Sequence, residues 1–538
     1  MKISHKYLVI LALMLLIHFQ VADAQSAADR QGFNGAPKLV VGVVVDQMRA
    51  DYISRFWNKF SDKGFKRLVS QGFLCENNNI NYSASETGPG HAAIYTGTTP
   101  SINGIISNDW YSRNLDKMVY CVGDSTPKNL LSNTITDQLR LATNFTSKVI
   151  SISLKDRAAI LPGGFTSNGS YWYDAATGKF ITSSYYMKEI PSWLNAFNER
   201  KLPAQYLKQT WNTSLPIEQY AESTADDTPY EGVLFEGEAQ PIFPHVLANY
   251  KGKGYKVINS TPFGNTLIKE LACEAIKSEN LGKGKTPDFL AVSFSSTDYI
   301  GHNFGINSIE LEDTYLKLDK DLGDFLDYLD ATIGKENTLL FLTADHGAEN
   351  NVKYNLDHNI PAGLFDAKLI TDLLKTFLNA KFGVEGLLLN FSNQNVYLNL
   401  KLIEEKKLSL YDIETAVANF LLKCDGVAYA NIAFEVTVFD NNYAYQKFIK
   451  NDYNAARSGD VMFTLLPGWM EWKSTGTTHG SPYNYDTHIP LIFYGWKVKA
   501  GDYLPNVNIT DIAPTIANLL NIQAPSGCLG NAIPIPLK

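Results

Sequence analysis

The sequence predicts an α/β fold: a mostly parallel central sheet flanked by helices, with a cap domain inserted into it. Three observations lead there. Three apolar runs are each followed by an aspartate, helical patterns lie between those runs, and a long stretch after the third run carries strand and helix signals of its own. Runs apolar on both faces fit the buried strands of a parallel sheet covered by helices.

Taken in order, the N-terminus reads as an export signal. Lys2, His5 and Lys6 precede the apolar run Tyr7 to Phe19, and Ala22-Asp23-Ala24 ends it with small residues. Residues 1–24 are therefore expected to be a secretory signal peptide cleaved after Ala24. The run is shorter than the roughly 20 apolar residues of a membrane span. No cysteine near the cleavage point offers a lipid anchor, and no second hydrophobic span follows, so a periplasmic or secreted protein without a membrane span is expected. A chain of 538 residues suffices for one elaborated domain or two to three smaller ones. Its net charge of −8 and lack of a long basic run offer no nucleic-acid surface. Five cysteines stand far apart with no CxxC pair, which permits one or two disulfides in an exported protein without revealing their pairing.

The first core strand is Lys38 to Val45, ending in Asp46. Next, Ser85-Glu86-Thr87-Gly88-Pro89-Gly90-His91 packs glycines and a proline around one threonine before a short helical pattern. Proline in the first turn suits a helix start, which places Thr87 where free N–H groups and the macrodipole favour negative charge. The ordinary reading of a threonine there is an N-cap. Lys148 to Leu154 reads as a strand, so Lys155 and Arg157, two apart, are expected to project to one side. Asn108 by itself reads as a turn residue. A stretch rich in Tyr, Trp and Ser, 168–250, reads as an excursion from the sheet. Phe289 to Phe294 leads to Asp298, Ile309 to Leu329 has helical spacing, and Thr338 to Ala344 runs into Asp345-His346-Gly347. Residues 351–474 form the expected inserted cap, with strand-like Asn395 to Leu400 and helical Leu410 to Leu422; Ile489 to Tyr494 is the last core strand. The core is thus expected over 36–350 and 475–538.

In open α/β sheets ligands collect beyond the carboxyl ends of the strands, where these aspartates stand. His302 follows Asp298 by four residues and His346 follows Asp345 directly, while His479 and His488 come late in the chain. Carboxylate and imidazole together are a ligand set that suits zinc, with manganese or iron also compatible by ligand type.

These pieces resemble, in order, those of the alkaline phosphatase superfamily, and most resemble the PafA-type periplasmic alkaline phosphatases that use a threonine nucleophile. The matching segments are Val45-Asp46, Ser85 to His91, Ser107-Asn108-Asp109-Trp110, Ser153 to Arg157, Asp298-Tyr299-Ile300-Gly301-His302, Ala344 to Gly347 and Thr478-His479-Gly480, followed by the late helix Thr510 to Ala517. The resemblance implies two zinc ions. Asp298, His302 and His479 would hold one, and Asp46, Asp345, His346 and the Thr87 oxygen the other. It implies that Thr87 attacks phosphorus to give a phosphothreonine, and that Asn108, Lys155 and Arg157 bind the non-bridging oxygens of the phosphate. His479 is preferred to His488 as the last ligand because its His-Gly context matches the family motif. His91, His245 and His358 are read as structural. Arg457-Ser458-Gly459-Asp460 also resembles a family motif, without a role that the sequence reveals.

The expectation is a phosphomonoesterase of broad acceptance, probed by small-molecule phosphate monoesters and monomeric. The alternative within the superfamily is a phosphodiesterase or nucleotide pyrophosphatase, against which the cationic Lys155 and Arg157 weigh, since a diester carries less charge. A sulfatase would need a Cys/Ser-x-Pro-x-Arg motif, and Thr87-Gly88-Pro89-Gly90-His91 lacks that arginine. A phosphate-binding protein would need no activated alkoxide.

Overall fold

A computed structural model describes residues 33, 35–235, 237–250, 252, 254–439, 444–471 and 473–538. The predicted signal peptide, 1–24, lies outside the described residues.

Nine strands form the central sheet: β1 (Leu39–Val45), β2 (Phe73–Cys75), β3 (Val149–Ser153), β4 (Gly169–Asp174), β5 (Lys179–Ile181), β6 (Asp288–Phe294), β7 (Thr338–Thr343), β8 (Leu491–Gly495) and β9 (Gly501–Tyr503). Their order across the sheet is β9-β2-β8-β7-β1-β6-β3-β4-β5. The five strands from β7 to β4 are mutually parallel. β8 runs antiparallel to both β7 and β2, and β5 antiparallel to β4. Every residue of β1, β6 and β7 is buried, as continuous apolar runs require of strands covered on both faces. The register sets Val45 beside Phe294 and Val44 beside Thr343, so the chain leaves all three strands at one edge of the sheet.

Two expectations change. The stretch 168–250 is not wholly an excursion, because its first residues supply β4 and β5. Mixed aromatic and polar residues over so short a run hide that pairing from a periodicity reading. Lys155 and Arg157 also do not lie on a strand. β3 ends at Ser153, Lys155 is the N-cap of a helix (Asp156–Gly163), and Arg157 stands in its first turn.

Four helices position the site. In chain order they are α1 (Thr87–Thr96), α2 (Asp156–Gly163), α3 (Ser296–Phe304) and α4 (Ile309–Thr332). All ten residues of α1 are buried, and Gly97 ends it in the left-handed conformation (φ 66°) that glycine adopts without a Cβ clash. Ser308 caps α4, its side chain accepting the Leu311 N–H at 3.1 Å.

A second apolar core lies apart from the first, built from Phe365, Leu374, Leu378, Leu387, Val396, Ile413, Val417, Leu421 and Phe463 among others. Its four-stranded sheet has the order Leu388–Ser392, Asn395–Leu398, Val461–Leu465, Val427–Ile432. The helix Leu410–Leu421 buries Ile413, Val417 and Leu421, one face at a four-residue spacing. All five cysteines are free thiols.

Candidate active site

The three sheet-edge turns converge on α1. Thr87 is the first residue of that helix, and Glu86 is its N-cap. Its hydroxyl does not cap. Asn108 Oδ1 instead accepts the free Gly88 N–H at 2.8 Å, and the Asn108 N–H is held by Glu86 Oε2 at 2.8 Å. Glu86 also accepts from the Ser107 hydroxyl. With its oxygen committed, the Asn108 amide leaves an N–H donor on the wall of the cavity it lines. Thr87 Oγ1 is thereby free to accept from Lys155 Nζ (3.2 Å) and Arg157 Nη2 (3.4 Å). Tyr120 steadies the arginine, its hydroxyl accepting from Arg157 Nη1 at 3.1 Å and donating to Asp156 at 2.6 Å. A side chain at Gly90 would place a Cβ 2.4 Å from the Asp345 carbonyl, so glycine there lets α1 close onto the third strand end.

Six further side chains form two clusters, each with its ligating atoms within 4.8 Å of one another: Asp46, Asp345 and His346, and Asp298, His302 and His479. His346 Nε2 lies 3.4 Å from Asp46 Oδ1, while His302 and His479 Nε2 lie 3.2 and 3.6 Å from Asp298 Oδ1. The clusters share a wall, the His346 and His479 rings stacking at 3.5 Å between centroids. In each histidine Nδ1 faces a backbone carbonyl: Gly347 for His346 (2.9 Å), Thr477 for His302 (2.8 Å) and Ser85 for His479 (2.7 Å). A carbonyl can only accept, so Nδ1 carries the proton and the Nε2 lone pair turns to the carboxylates. This is the arrangement of imidazoles oriented as metal ligands.

The donor set fits metal cations. Asp46 Oδ1 and His346 Nε2 are buried without a hydrogen-bond partner, which is costly unless a cation satisfies them, while Asp46 Oδ2 meets Lys155 and Asp345 Oδ2 meets His91. Three carboxylates, each at most 2% exposed, crowd this space. Burial and the Asp345 charge push the Asp46 carboxyl up. Burial would do the same to Asp298, but His302 and Lys155 hold it well below the usual carboxylate range. Lys155 is the ammonium that answers them, at 2.7 Å from Asp46 and 2.6 Å from Asp298; burial alone would lower its pKa, yet these carboxylates raise it. Burial and the neighbouring His346 and His302 keep His479 neutral, its pKa well below the ordinary imidazole value.

Every residue expected from the sequence at this site is brought together. His479 and His488 separate: the first joins the Asp298 cluster, while His488 Nε2 meets the Glu76 carbonyl at 3.0 Å, outside both. His358 is exposed and bonds back to its own helix, and His245 is packed between Glu238 and Glu310, away from either cluster. His91 lies beside the site. It is fully buried, with Nδ1 2.9 Å from the Thr87 carbonyl and 3.2 Å from Asp345 Oδ2, so it orients a residue of the site. Sequence reasoning also missed Gln47. Its Nε2 donates to Asp298 Oδ1 at 2.8 Å and its backbone N–H to Asp345 Oδ1 at 3.2 Å, which ties the clusters together from a left-handed backbone (φ 62°). A Cβ on Gly301 would fall 1.9 Å from Gln47 Oε1, so that glycine makes room for the bridge. The signal available was only its place after Asp46.

The Arg457-Ser458-Gly459-Asp460 motif clamps segments that are distant in the chain. Arg457 reaches the carbonyls of Gly104 and Asn129 and lies over the Trp110 ring. Arg113 answers from the other side, pairing with Asp460 at 2.8 Å and donating to the Ser458 carbonyl at 3.1 Å.

Comparison with known proteins gives the family. The family model for type I phosphodiesterase / nucleotide pyrophosphatase matches residues 40–487. Alkaline phosphatase PhoV of Synechococcus elongatus is 48% identical over 518 residues, 93% of each chain. A Myroides odoratus protein named as a calcium-transporting ATPase is 48% identical, covering 92% of this chain and 94% of its own. The crystal structure of wild-type alkaline phosphatase PafA aligns with a TM-score of 0.89 at 44% identity, over 93% of this chain and 98% of that one. The chain belongs to the type I phosphodiesterase / nucleotide pyrophosphatase family and, within it, to the PafA-type alkaline phosphatases.

Proposed function

We propose that this alkaline phosphatase is an exported, zinc-dependent phosphomonoesterase that releases phosphate from a broad range of monoesters through a phosphothreonine on Thr87. The observation that carries the reading is the convergence of Lys155 Nζ and Arg157 Nη2 on the Thr87 oxygen, at 3.2 and 3.4 Å. Two zinc ions would be held by Asp46, Asp345, His346 and Thr87, and by Asp298, His302 and His479. When bound they supply positive charge at the attacking and leaving oxygens of an in-line displacement. The rest is done by the chain. Thr87, fixed at a helix start that favours negative charge, gives up its hydroxyl proton to solvent and directs Oγ1 at phosphorus; the ester P–O bond breaks as the O–P bond to threonine forms, and the departing oxygen takes a proton from water. Asn108, Lys155 and Arg157 orient the phosphoryl oxygens, and water then releases phosphate from Thr87. Residues 351–474, which include the second apolar core, are assigned as the cap inserted between core segments 36–350 and 475–538. Residues 1–24 are assigned as the signal for export to the periplasm. Among the described residues no helix is long and apolar enough to cross a membrane.

Diester hydrolysis is the second reading, because the family model is that of diesterases. The cationic pair separates the two. A monoester has a third non-bridging oxygen and up to two charges, whereas a diester has two such oxygens and one charge. Hydrogen bonds to charged groups contribute roughly 1.5–3 kcal/mol each. The Lys155→Ala/Arg157→Ala double variant should therefore lose about 10²–10⁴ in monoester kcat/KM, nearer the lower end because both contacts share one phosphate. Diester hydrolysis should fall much less, and an equal fall would favour the diesterase. Acid quench during turnover of para-nitrophenyl phosphate should leave phosphate on the Thr87 peptide. Thr87→Ala should remove most activity, and Thr87→Ser should keep a substantial part.

A further inference from the structure

The inserted region reaches into the catalytic core at one buried acidic side chain. Asp452 is the last residue of the helix Ala444–Asp452 and is only 5% exposed. Its two oxygens accept the consecutive backbone N–H groups of Ser83 (2.8 Å) and Ala84 (3.1 Å). The next turn is tight, with the Ser85 N–H on the Ser83 carbonyl at 2.7 Å and the Glu86 N–H on the Ala84 carbonyl at 2.9 Å; Thr87 follows. From the same turn the Ser85 carbonyl receives His479 Nδ1 at 2.7 Å, and the Ser85 hydroxyl donates to the Ser481 carbonyl at 2.9 Å. On the far side a second buried aspartate, Asp486, accepts the N–H groups of Gly480 (3.1 Å) and Ser481 (2.8 Å). His479 is thus oriented by two loops, each pinned by a carboxylate through paired backbone N–H groups. One of those carboxylates comes from the inserted region.

We infer that Asp452 is a positioning residue for the phosphatase reaction: by holding the 83–86 turn it sets both the Thr87 oxygen and the Ser85 carbonyl that orients His479. The inserted region then completes the site, in addition to covering it. This rests on the assignment of Thr87 as nucleophile and His479 as metal ligand. A carboxyl group that accepts two adjacent N–H groups, one on each oxygen, fixes the direction of the chain at that point, because two bonds to one planar group leave the turn little rotational freedom. Two residues of backbone separate the pinned Ala84 from Thr87, so little slack remains between anchor and nucleophile.

The test uses the full zinc-loaded enzyme with para-nitrophenyl phosphate and compares Asp452→Ala, Asp452→Asn and Arg113→Met. Loss of a residue that orients a ligand weakens metal binding by about 10–100-fold. Asp452→Ala should accordingly weaken zinc affinity in chelator competition by about tenfold. At saturating zinc its kcat should also fall about tenfold or more with KM within about threefold, the mark of an interaction that matters in the transition state. Asp452→Asn keeps one accepting oxygen and should recover part of both. Arg113→Met loosens the docking of the same region at the Asp460 clamp, away from the 83–86 turn, and should keep kcat within about twofold of wild type, the scatter expected of a contact outside the reacting groups. The proposal is overturned if Arg113→Met loses as much as Asp452→Ala, or if either Asp452 variant only lowers the melting midpoint while folded protein keeps wild-type kcat and zinc affinity. Acid-quench labelling of wild type separates the two levels: label away from Thr87 defeats the nucleophile assignment itself, whatever the Asp452 variants show.

Discussion

Asp46, Asp345 and His346 stand at the ends of β1 and β7, and all three are fully buried. The other cluster is assembled differently. Asp298 and His302 share one turn of α3, His479 arrives on a loop near the end of the chain, and the His302 side chain is 23% exposed. Side chains at the ends of paired strands inherit their spacing from the sheet register, which the whole core enforces. Side chains on a helix and a loop inherit theirs from local clamps such as Gln47, Ser85 and Asp486. The strand-end cluster is therefore the rigid half of the site and the helix–loop cluster the adjustable, solvent-reachable half.

The sharpest test is to remove one ligand from each half. Asp345→Ala should lower monoester kcat/KM by about three decades or more, because it deletes a ligand and leaves buried partners unsatisfied. Adding zinc should restore little of it. His302→Ala should cost about 10–100-fold and be partly restored by millimolar zinc, since a reachable site can be refilled. If zinc rescued both variants equally, the distinction between the halves would be lost. Gln47→Ala should come next. Its side-chain amide donates to Asp298, so its loss should weaken metal binding about tenfold at the helix–loop cluster and leave the other unchanged. Elemental analysis after stepwise chelation reads this as one early and one late metal; a single shifted step for both would show that Gln47 couples them.

The smallest effect concerns the packing under α3. Phe304, its last residue, meets His245, whose ring centroid is 5.7 Å away. Burial would lower the His245 pKa, but Glu238 and Glu310 on either side push it up to about 9. The proton is thus bound more tightly in the folded state than at the ordinary value near 6.5, so the stabilisation is complete below pH 6.5 and is lost as pH rises through 9. Melting midpoints should fall across that window by on the order of a few degrees. His245→Gln should flatten the decline, and an unchanged slope would assign it to other groups.

Much of the rigid half was legible in the sequence. The continuous apolar runs before Asp46 and Asp345 are local signals, and burial on both faces of a strand leaves no other pattern. The run before Asp298 is equally plain. Direction was not legible, because an apolar run reads alike both ways, and β8 proves antiparallel to β7. The PafA-type reading of Thr87 rested on the ordered motifs, while its freedom from capping depends on Asn108 taking the N–H of Gly88, twenty residues before it.

What the sequence determined by itself, then, is the set of strand ends and the residue types placed there, since periodicity and turn chemistry are written in neighbouring residues. Tertiary structure alone decided that His91 meets Asp345 and Gln47 meets Asp298, that Lys155 and Arg157 reach Thr87 from a helix start, and that Arg457 and Asp452 bond to the Gly104, Asn129, Ser83 and Ala84 backbone. Each of those depends on hydrogen bonds and ion pairs between residues far apart in the chain. Their partners are chosen by how the core closes, and no spacing in the sequence records that choice.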